Sequence, residues 1–401
     1  MIVKAKIINN ICLTSHPVGC AADVQRQIAT VQARGKVENG PKNVLVIGSS
    51  TGYGLASRIL SAFGAGAKTL GVAFEKAGSE KGPGTAGFYN TLAFDAAAKK
   101  AGLFSRSFNG DAFADATKAE VIEAIRQDLG KIDLMIYSLA SPVRTDPKDG
   151  VMHRSVLKPV GQEFVAKSID PFKGEVRVHT IAPATEEEVA ATIKVMGGED
   201  WELWIDALEK AGVLAQGFRT VAYTYIGPKV TYPFYREGTI GKAKEHLEAT
   251  SKGLHAKLKK SVGGGAWISV NKALVTRASS VIPAVSLYIS LLYKVMKGKK
   301  LHEGCIEQID RLFRDRLSKG QDIPVDSLGM IRLDDWEMRD DVQAEVSAQW
   351  DKVDGENLRE LCDVKGFEEE FLQLNGFAIP GVDYEADLST EVLEHGPGHG
   401  L

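Results

Sequence analysis

Apolar and polar residues along the first third of the chain follow two alternating periods, one typical of buried strands and one typical of helices. Residues 44–47 are an unbroken apolar run with β-branched side chains, as expected of a strand buried on both faces of a parallel sheet. Further strands are predicted at 69–74, 105–108 and 132–137, with helices at 55–60, 91–100 and 115–129. This winding predicts an α/β fold with a doubly wound parallel sheet.

Three glycines separate the first strand from the first of these helices. Gly48, Gly52 and Gly54 follow the spacing G-x-x-x-G-x-G. Because glycine has no Cβ, a phosphate can approach the backbone N–H groups and the positive end of a helix closely. Tight turns between strand and helix also use glycine, so the motif alone leaves both interpretations open. Together with the winding, it predicts a Rossmann-type dinucleotide site.

The second strand ends at Glu75, where a dinucleotide fold places its ribose-binding acid. A carboxylate there accepts both hydroxyls of the adenosine ribose and repels a 2′-phosphate, so NAD(H) is predicted rather than NADP(H). The alternative is a solvated charge at a strand end. Asp111 follows the third strand and Gly110. It is either a contact to the adenine amino group or a residue that forms the turn.

The regular winding stops after the fourth strand. Residues 142–219 are rich in turns and contain a predicted hairpin, followed by helices at 186–196 and 200–212. Trp201 and Trp204 share one face of the second helix, which predicts that they lie in the core. An insertion at the carboxyl end of a core strand lies over the crevice where ligands bind. We therefore expect this segment to be a substrate lid.

The sheet resumes with strands predicted at 221–226 and 267–270, and an apolar helix is predicted at 283–296. A chain of 401 residues exceeds the size at which one core usually stops growing. We predict a single Rossmann-like cofactor-binding domain over residues 1–401. Besides the insertion at about 142–219, this domain has an N-terminal extension at 1–42 and a C-terminal helical extension at about 300–401.

Composition narrows the range of partners. A net charge of −3 offers no sign of a nucleic-acid surface, and the most apolar run, residues 281–293, is too short to span a bilayer. The four cysteines form no C-x-x-C pair or zinc spacing, and the N-terminus lacks the pattern of a signal peptide. His395 and His399 are weak candidates for metal ligands. We expect a cytoplasmic enzyme that acts on small molecules, without metal, nucleic acid or membrane as partner.

Tyr235 and Lys244 are the candidate acid–base pair, because they follow a core strand that ends above the predicted cofactor site. Nine residues along one continuous helix would place them on opposite faces. Tyr235 must therefore lie on a loop, and Lys244 in the second turn of a helix with Thr239 as N-cap. The ammonium would then lower the pKa of the phenol. Spacing does not choose Lys244 over Lys242, so an ordinary loop aromatic and a solvated lysine stay open as an alternative.

Longer stretches resemble a known family. The chain is similar to the NADH-dependent trans-2-enoyl-CoA reductases, which are the long enoyl-thioester reductases of the FabV/Ter type. The resemblance covers almost the whole chain. It is carried by GSSTGYGLASRI from Gly48, the pair Phe74-Glu75, GDAF at 110–113, YSLASPVR at 137–144, VMGGEDWELW at 195–204, AYTYIG at 222–227, the Tyr-x8-Lys pair at 235–244 and VNKALVTRASSVIP at 270–283.

The resemblance implies a role for each matched residue. Tyr235 would be the proton donor, Lys244 would hold the nicotinamide-side ribose, and Tyr225 and Thr276 would contact the substrate. The other matched residues would bind NADH: the pyrophosphate by Gly48, Ser49, Ser50, Thr51, Gly52 and Tyr53, the adenosine by Phe74 and Glu75, the adenine by Asp111 and Ala112, the nicotinamide-side ribose by Leu139 and Ala140, and the remainder of the pocket by Ala273, Leu274 and Val275.

The implied reaction is the NADH-dependent reduction of the C2=C3 bond of a trans-2-enoyl thioester, in fatty-acid synthesis or fermentation. Hydride would reach the β-carbon, while Tyr235 and Tyr225 donate hydrogen bonds to the enolate as an oxyanion hole does. The carrier, coenzyme A (as in crotonyl-CoA) or acyl carrier protein, stays open, and the family suggests a monomer. A short-chain-dehydrogenase-like carbonyl reductase is one alternative, although that class usually spaces Tyr and Lys one helical turn apart. A non-catalytic NAD(H)-binding sensor is the other.

Overall fold

In the part of the chain that the structure describes, the strands form one large parallel sheet and three small antiparallel pairs. The computed structural model describes residues 1–8, 11–280, 282, 285–320 and 322–397. Within these residues the strands are β1 (Ile7–Ile8), β2 (Ile11–Cys12), β3 (Asn43–Ile47), β4 (Lys68–Ala73), β5 (Ser105–Asn109), β6 (Ile132–Tyr137), β7 (Val143–Thr145), β8 (Met152–Arg154), β9 (Phe164–Asp170), β10 (Glu175–Ile181), β11 (Leu214–Thr224), β12 (Gly265–Val270) and β13 (Ile331–Arg332).

The large sheet has the strand order β13-β12-β11-β6-β3-β4-β5, and its neighbouring strands pair in parallel. The chain builds β3, β4 and β5 outward in one direction and then returns to place β6 on the other side of β3. This reversal opens a crevice at the carboxyl ends of β3 and β6, which is where α/β sheets bind their ligands. The predicted doubly wound parallel sheet is confirmed.

Helices cover both faces of this sheet, and several are continued by a wider helical turn. In chain order they are α1 (Pro17–Ala33), α2 (Gly52–Ile59), α3 (Ala86–Lys100), α4 (Asp115–Ala124), α5 (Glu186–Met196), α6 (Glu199–Lys210), α7 (Thr239–Val262), α8 (Val285–Gly298), α9 (Cys305–Arg311), α10 (Asp340–Trp350), α11 (Leu358–Leu361), α12 (Val364–Gln373) and α13 (Thr390–His395).

Alternate residues of β3 explain why its sequence is apolar without interruption. Leu45 and Ile47 belong to a cluster on one face of the sheet, which also contains Trp201 and Trp204. Val44 and Val46 belong to the cluster on the opposite face. Both tryptophans are fully buried, as predicted. A strand buried on both faces has no solvent side on which to place polar residues.

The insertion between β6 and the later part of β11 consists of two hairpins and two helices. β7 pairs with β8 and β9 pairs with β10, each antiparallel. Helix α5 has the bounds that the sequence predicts, and α6 begins at Glu199 and ends at Lys210 rather than covering 200–212. The next core strand, β11, begins at Leu214, earlier than predicted, and its register with β6 shifts between Leu214 and Arg219.

The last strand of the sheet, β13, was not predicted. It has two residues, Ile331 and Arg332, which pair with Ser269 and Val270 of β12. So short an edge strand carries no period of its own. The predicted apolar helix is α8, which begins at Val285; residues 281, 283 and 284 lie outside the described part of the chain. Among the described residues, no helix is both long and apolar enough to cross a bilayer.

Candidate active site

The glycine turn after β3 forms a cradle at the start of α2. Gly48 has a φ of 79°, and a Cβ there would lie 2.1 Å from the carbonyl oxygen of Ser138 at the end of β6. Only glycine therefore lets the two strand ends approach. Gly52, the first residue of α2, has a φ of 53° and open space where a Cβ would stand. The N-cap, Thr51, makes no side-chain bond to the helix, so its side chain leaves the first-turn N–H groups for a phosphate.

Glu75 is held at the edge of this cradle. Its Oε1 accepts a hydrogen bond of 2.6 Å from the hydroxyl of Ser50, and its N–H donates to Oδ1 of Asn109 at 2.7 Å. A Cβ at Gly87 would lie 2.0 Å from the same Oε1, so glycine makes room for the carboxylate. The neighbouring Phe74 leaves 78 % of its surface exposed. This bonding disfavours the alternative of a freely solvated charge, and the arrangement fits a ribose diol.

Asp111 and Ala112 follow β5, and each already accepts hydrogen bonds from other residues of the protein. One carboxylate oxygen of Asp111 accepts the N–H of Phe113 at 2.9 Å, which is the turn-forming role that the sequence left open. The carbonyl of Ala112 accepts Nε1 of Trp204 at 3.1 Å and Nζ of Lys118 at 3.0 Å. Their predicted contact with adenine stays a prediction.

Two loops complete the crevice around the predicted nicotinamide side. Leu139 and Ala140 lie on the loop that follows β6. Ser138, the first residue of this loop, donates its N–H to the carbonyl of Ile47 at 2.9 Å. This bond holds the loop against the end of β3.

The other loop follows β12 and is braced from behind. The N–H of Ala273 donates to Oε2 of Glu337 at 2.7 Å, and the N–H of Val275 donates to the hydroxyl of Tyr293 at 3.1 Å. The carbonyl of Leu274 accepts from Ser279, which also accepts the N–H of Thr276. The two N–H groups of Ala273 and Val275 are thus used to shape the loop.

Tyr235 and Lys244 have the local structure that the sequence predicts. Tyr235 ends a short 3-10 helix, Lys229–Phe234, and Lys244 lies in the second turn of α7. The N–H of Gly241 donates to the carbonyl of Tyr235 at 3.0 Å, so the first turn of α7 packs against the tyrosine. Lys244 follows Gly241 by three residues and therefore lies on the same side of the helix. An ion pair of 2.6 Å between Arg236 and Glu248 further fixes the loop to α7.

The predicted N-cap is wrong by one residue. Gly238, not Thr239, precedes the first helical residue. Thr239 instead uses its hydroxyl to donate to the carbonyl of Val156 at 2.5 Å and to accept the N–H of Lys158 at 3.3 Å. These bonds tie the inserted segment to the start of α7. The hydroxyl of Thr239 is used in a tertiary contact with a segment about 80 residues away in sequence, and it is therefore not available to cap the helix.

The expected effect of Lys244 on the phenol is also wrong. Burial raises the pKa of Tyr235, whose side chain is 8 % exposed, and the charge of Arg236 opposes this only in part. Burial also lowers the pKa of Lys244 to about 8, while the charge of Glu248 acts in the opposite direction. In both groups desolvation outweighs the effect of the neighbouring charge. The phenol is therefore a neutral hydrogen-bond donor at neutral pH.

Tyr225 joins Tyr235 at this end of the sheet. It follows β11, and its ring meets that of Tyr235 edge to face with centroids 5.0 Å apart. Its hydroxyl lies 3.0 Å from Oε1 of Glu337, within hydrogen-bond distance, and the hydroxyl of Tyr288 on α8 donates to the same oxygen at 2.7 Å. Sequence reasoning missed Glu337 and Tyr288. Glu337 lies in the stretch DDWEMRD, which carries no motif, and only the contact across the fold identifies it.

A metal centre finds no support in the described residues. They contain no group of three or more His, Cys, Asp or Glu side chains that could hold a metal ion. His395 pairs with Glu394 at 4.0 Å. His399 lies outside the residues that the structure describes.

Three family models match nearly the whole chain. Residues 2–80 match the "NAD(P)H binding domain of trans-2-enoyl-CoA reductase", and residues 82–318 match the "Trans-2-enoyl-CoA reductase catalytic region". Residues 325–388 match a third model, described as "Enoyl reductase FAD binding domain". The second of these models alone covers more than half of the chain.

Individual relatives agree with these models. The enoyl-[acyl-carrier-protein] reductase [NADH] of Cytophaga hutchinsonii is 58% identical over 396 residues, covering 99% of this chain and 100% of the relative. The trans-2-enoyl-CoA reductase [NADH] of Treponema denticola is 56% identical, covering 97% and 98%.

Solved structures show the same likeness in three dimensions. The crystal structure of the Treponema denticola enzyme in complex with NAD has a TM-score of 0.92 and 55% identity, covering 97% of this chain and 98% of that one. A Clostridium trans-2-enoyl-CoA reductase in complex with NADH has a TM-score of 0.96 and 45% identity, covering 98% and 99%. Because a family model covers more than half of the chain and relatives at 58% and 56% identity cover nearly all of it, the chain belongs to the trans-2-enoyl-CoA reductase family.

Proposed function

We propose that the protein reduces the C2=C3 double bond of trans-2-enoyl thioesters to the saturated acyl thioester, with NADH as reductant. The observation that carries the proposal is the buried, neutral phenol of Tyr235, which meets Tyr225 at the carboxyl end of the sheet beside the first turns of α7. The names of the relatives support this reaction, as either enoyl-CoA or enoyl-acyl-carrier-protein reductases.

The cofactor would lie along the carboxyl ends of β3, β4 and β6. The open position at Gly52 and the uncapped start of α2 fit a pyrophosphate, which the segment from Gly48 to Tyr53 would hold. Bound NADH supplies the hydride that adds to the β-carbon of the substrate. Lys244 would hold the hydroxyls of the nicotinamide-side ribose, for which the half-buried ammonium is available: its side chain makes no hydrogen bond or ion pair with the residues that the structure describes.

Tyr235 would stabilise the charge that develops on the thioester oxygen. Because burial keeps its hydroxyl protonated, it donates a hydrogen bond to that oxygen and is the source of the proton that then reaches the α-carbon. Tyr225, whose ring is adjacent, would donate a second hydrogen bond to the same thioester oxygen. Water is kept from the site by the same burial, which strengthens each of these hydrogen bonds.

Glu75 would set the preference for NADH. Its carboxylate, already oriented by Ser50 while Asn109 holds its backbone N–H, would accept hydrogen bonds from the adenosine ribose and repel the 2′-phosphate of NADPH. Phe74, exposed beside it, would contact the adenine-side ring system.

We propose that residues 142–219 cover the substrate as a lid within the predicted single domain. Thr239 ties this segment to α7, and Ser286 of α8 bonds both the N–H and the carbonyl of Ile169 in β9. The rings of Phe164 and Phe234 lie 5.6 Å apart, so the hairpin packs directly on the loop that carries Tyr235. The apolar α8 beneath it would border the acyl chain.

The proposal extends to the thioester carrier and to the assembly of the protein. The relatives include enzymes named for coenzyme A and for acyl carrier protein, and we propose a monomer that accepts the thioester of either carrier. The cysteines, Cys12, Cys20, Cys305 and Cys362, are all free thiols, which suits the proposed cytoplasmic location.

The test is oxidation of NADH by crotonyl-CoA in the wild type, Tyr235→Phe and Tyr232→Phe. We expect turnover with NADH, a fall in kcat of about 10²–10⁴-fold in Tyr235→Phe because the acid is lost, and unchanged kcat in Tyr232→Phe, which removes a hydroxyl from the same loop. NADH binding measured by fluorescence should stay the same in both variants. No turnover of any enoyl thioester by the wild type would exclude the proposed reaction.

A further inference from the structure

Glu337 is a fully buried carboxyl group that joins three elements of the candidate site. Its Oε1 lies 3.0 Å from the hydroxyl of Tyr225 and 2.7 Å from that of Tyr288, and its Oε2 accepts the N–H of Ala273 at 2.7 Å. It comes from the segment that matches the family model described as FAD-binding, and its carboxyl group contacts residues of the crevice. The C-terminal segment thus contributes a side chain that contacts Tyr225, a residue of the candidate site.

If Glu337 were ionised, Tyr225 could not donate hydrogen bonds both to Glu337 and to the substrate oxygen. A carboxylate only accepts, so Tyr225 would give its single hydroxyl proton to Glu337. Toward the pocket it would then present a lone pair. The substrate oxygen gains negative charge in the proposed reaction, and a lone pair facing it is repulsive rather than stabilising.

We propose, on the basis of the proposed function, that Glu337 is a positioning residue which works as the neutral acid and donates its proton to Tyr225. Its Oε1–H points at the hydroxyl oxygen of Tyr225, while the same Oε1 accepts from Tyr288 and Oε2 accepts from Ala273. Every donor and acceptor is then matched. The proton of Tyr225 is left to donate to the thioester oxygen.

The surroundings of Glu337 favour this protonation state. Among the described residues, no Lys, Arg or His nitrogen lies within ion-pair distance of its carboxyl group. Burial raises the pKa of Glu337, while the hydrogen bond from Tyr288, the charge of Lys272, which makes no direct bond to it, and the hydrogen bond from Ala273 act in the opposite direction. Glu303 in the same C-terminal region differs: it is also buried but is paired with Arg311 at 2.9 Å. A buried carboxyl without a cation beside it is the one that keeps its proton.

Two substitutions test whether Glu337 works as a neutral acid or as a carboxylate. In Glu337→Gln the amide N–H donates to Tyr225, so we expect kcat with crotonyl-CoA and NADH to stay within about tenfold of the wild type. In Glu337→Leu nothing orients Tyr225 or Ala273, and kcat should fall by about 10²-fold or more, the loss expected for an oxyanion donor. The dissociation constant of NADH should change little in Glu337→Gln, whose amide oxygen still accepts the N–H of Ala273. Equal losses in the two variants would overturn the proposal.

Glu303→Gln is the matched control. It removes the charge of a buried glutamate that is ion-paired, so its melting temperature should fall while kcat stays near the wild-type value. Glu337→Gln removes no charge if Glu337 is neutral, so its melting temperature should fall less than that of Glu303→Gln.

A second measurement does not depend on any variant folding. Neutron crystallography of the deuterium-exchanged wild type with NADH bound locates the deuteron between Glu337 and Tyr225. A deuteron on Glu337 supports the proposal, and one on Tyr225 overturns it. This result stands whether or not crotonyl-CoA is turned over, whereas lack of turnover by the wild type refutes the proposed function alone.

Discussion

Gly241→Ala tests whether the start of α7 positions Tyr235. A Cβ at this residue would lie 1.7 Å from the carbonyl oxygen of Arg236, which is backbone and cannot rotate away. To restore ordinary contact the helix start or the loop must retreat by about 1.5–2 Å. The hydrogen bond from the N–H of Gly241 to the carbonyl of Tyr235, 3.0 Å long, is then broken.

The size of the effect follows from this displacement. A shift of about 1 Å between reacting groups costs roughly 10²-fold in rate, or about 2.7 kcal/mol of activation free energy. Overpacking of this kind also lowers the free energy of unfolding by about 1–3 kcal/mol. We therefore expect a folded but less stable enzyme whose kcat falls by roughly 10²-fold.

Gly253→Ala is the control within the same helix. This glycine is exposed, and a Cβ there would meet nothing within 4 Å. Alanine in place of a mid-helix glycine should raise the free energy of unfolding by about 0.5–1 kcal/mol and leave kcat unchanged. Both variants are compared by NADH oxidation with crotonyl-CoA and by thermal unfolding. If Gly241→Ala kept the wild-type kcat, or if Gly253→Ala lost as much activity, the positioning role of the turn would be refuted.

Two further predictions concern charge. Glu75→Ala should raise kcat/KM with NADPH relative to NADH by roughly tenfold or more, because the repulsion of the 2′-phosphate is removed; an unchanged ratio in steady-state assays would contradict the role of Glu75. Lys244→Met should abolish most activity yet raise the melting temperature at neutral pH, since the folded-state pKa of Lys244 is about 8 against 10.5 for the free side chain. The unfolded chain binds the additional proton between these values, so the wild type gains stability as pH rises through this window and the gap to the variant should narrow. A gap in melting temperature that widens with pH would show that the sign is wrong.

The sequence by itself determined the sheet and much of the site's local structure. Unbroken apolar runs predicted β3 and β6 because strands covered on both faces have no polar side. The spacing of Gly48 and Gly52 predicted the cradle, since the chemistry of a close backbone approach requires residues without a Cβ. The distance between Tyr235 and Lys244 placed one on a loop and the other on a helix, because helical geometry allows no other arrangement on one side.

Other features were decided only in three dimensions. Thr239 left its expected N-cap role for a bond to the inserted segment, and the two-residue strand β13 exists only because β12 offers it a partner. The pKa of Tyr235 rises rather than falls, because desolvation depends on how completely the fold encloses the phenol.

Glu337 is the clearest case. It lies 112 residues from Tyr225 in sequence, and nothing near it in the chain marks its importance. Periodic patterns determine which faces of strands and helices are buried, because those depend on neighbouring residues. Which buried polar groups meet, and which of them holds a proton, depends on contacts between distant segments and is therefore settled by the tertiary structure.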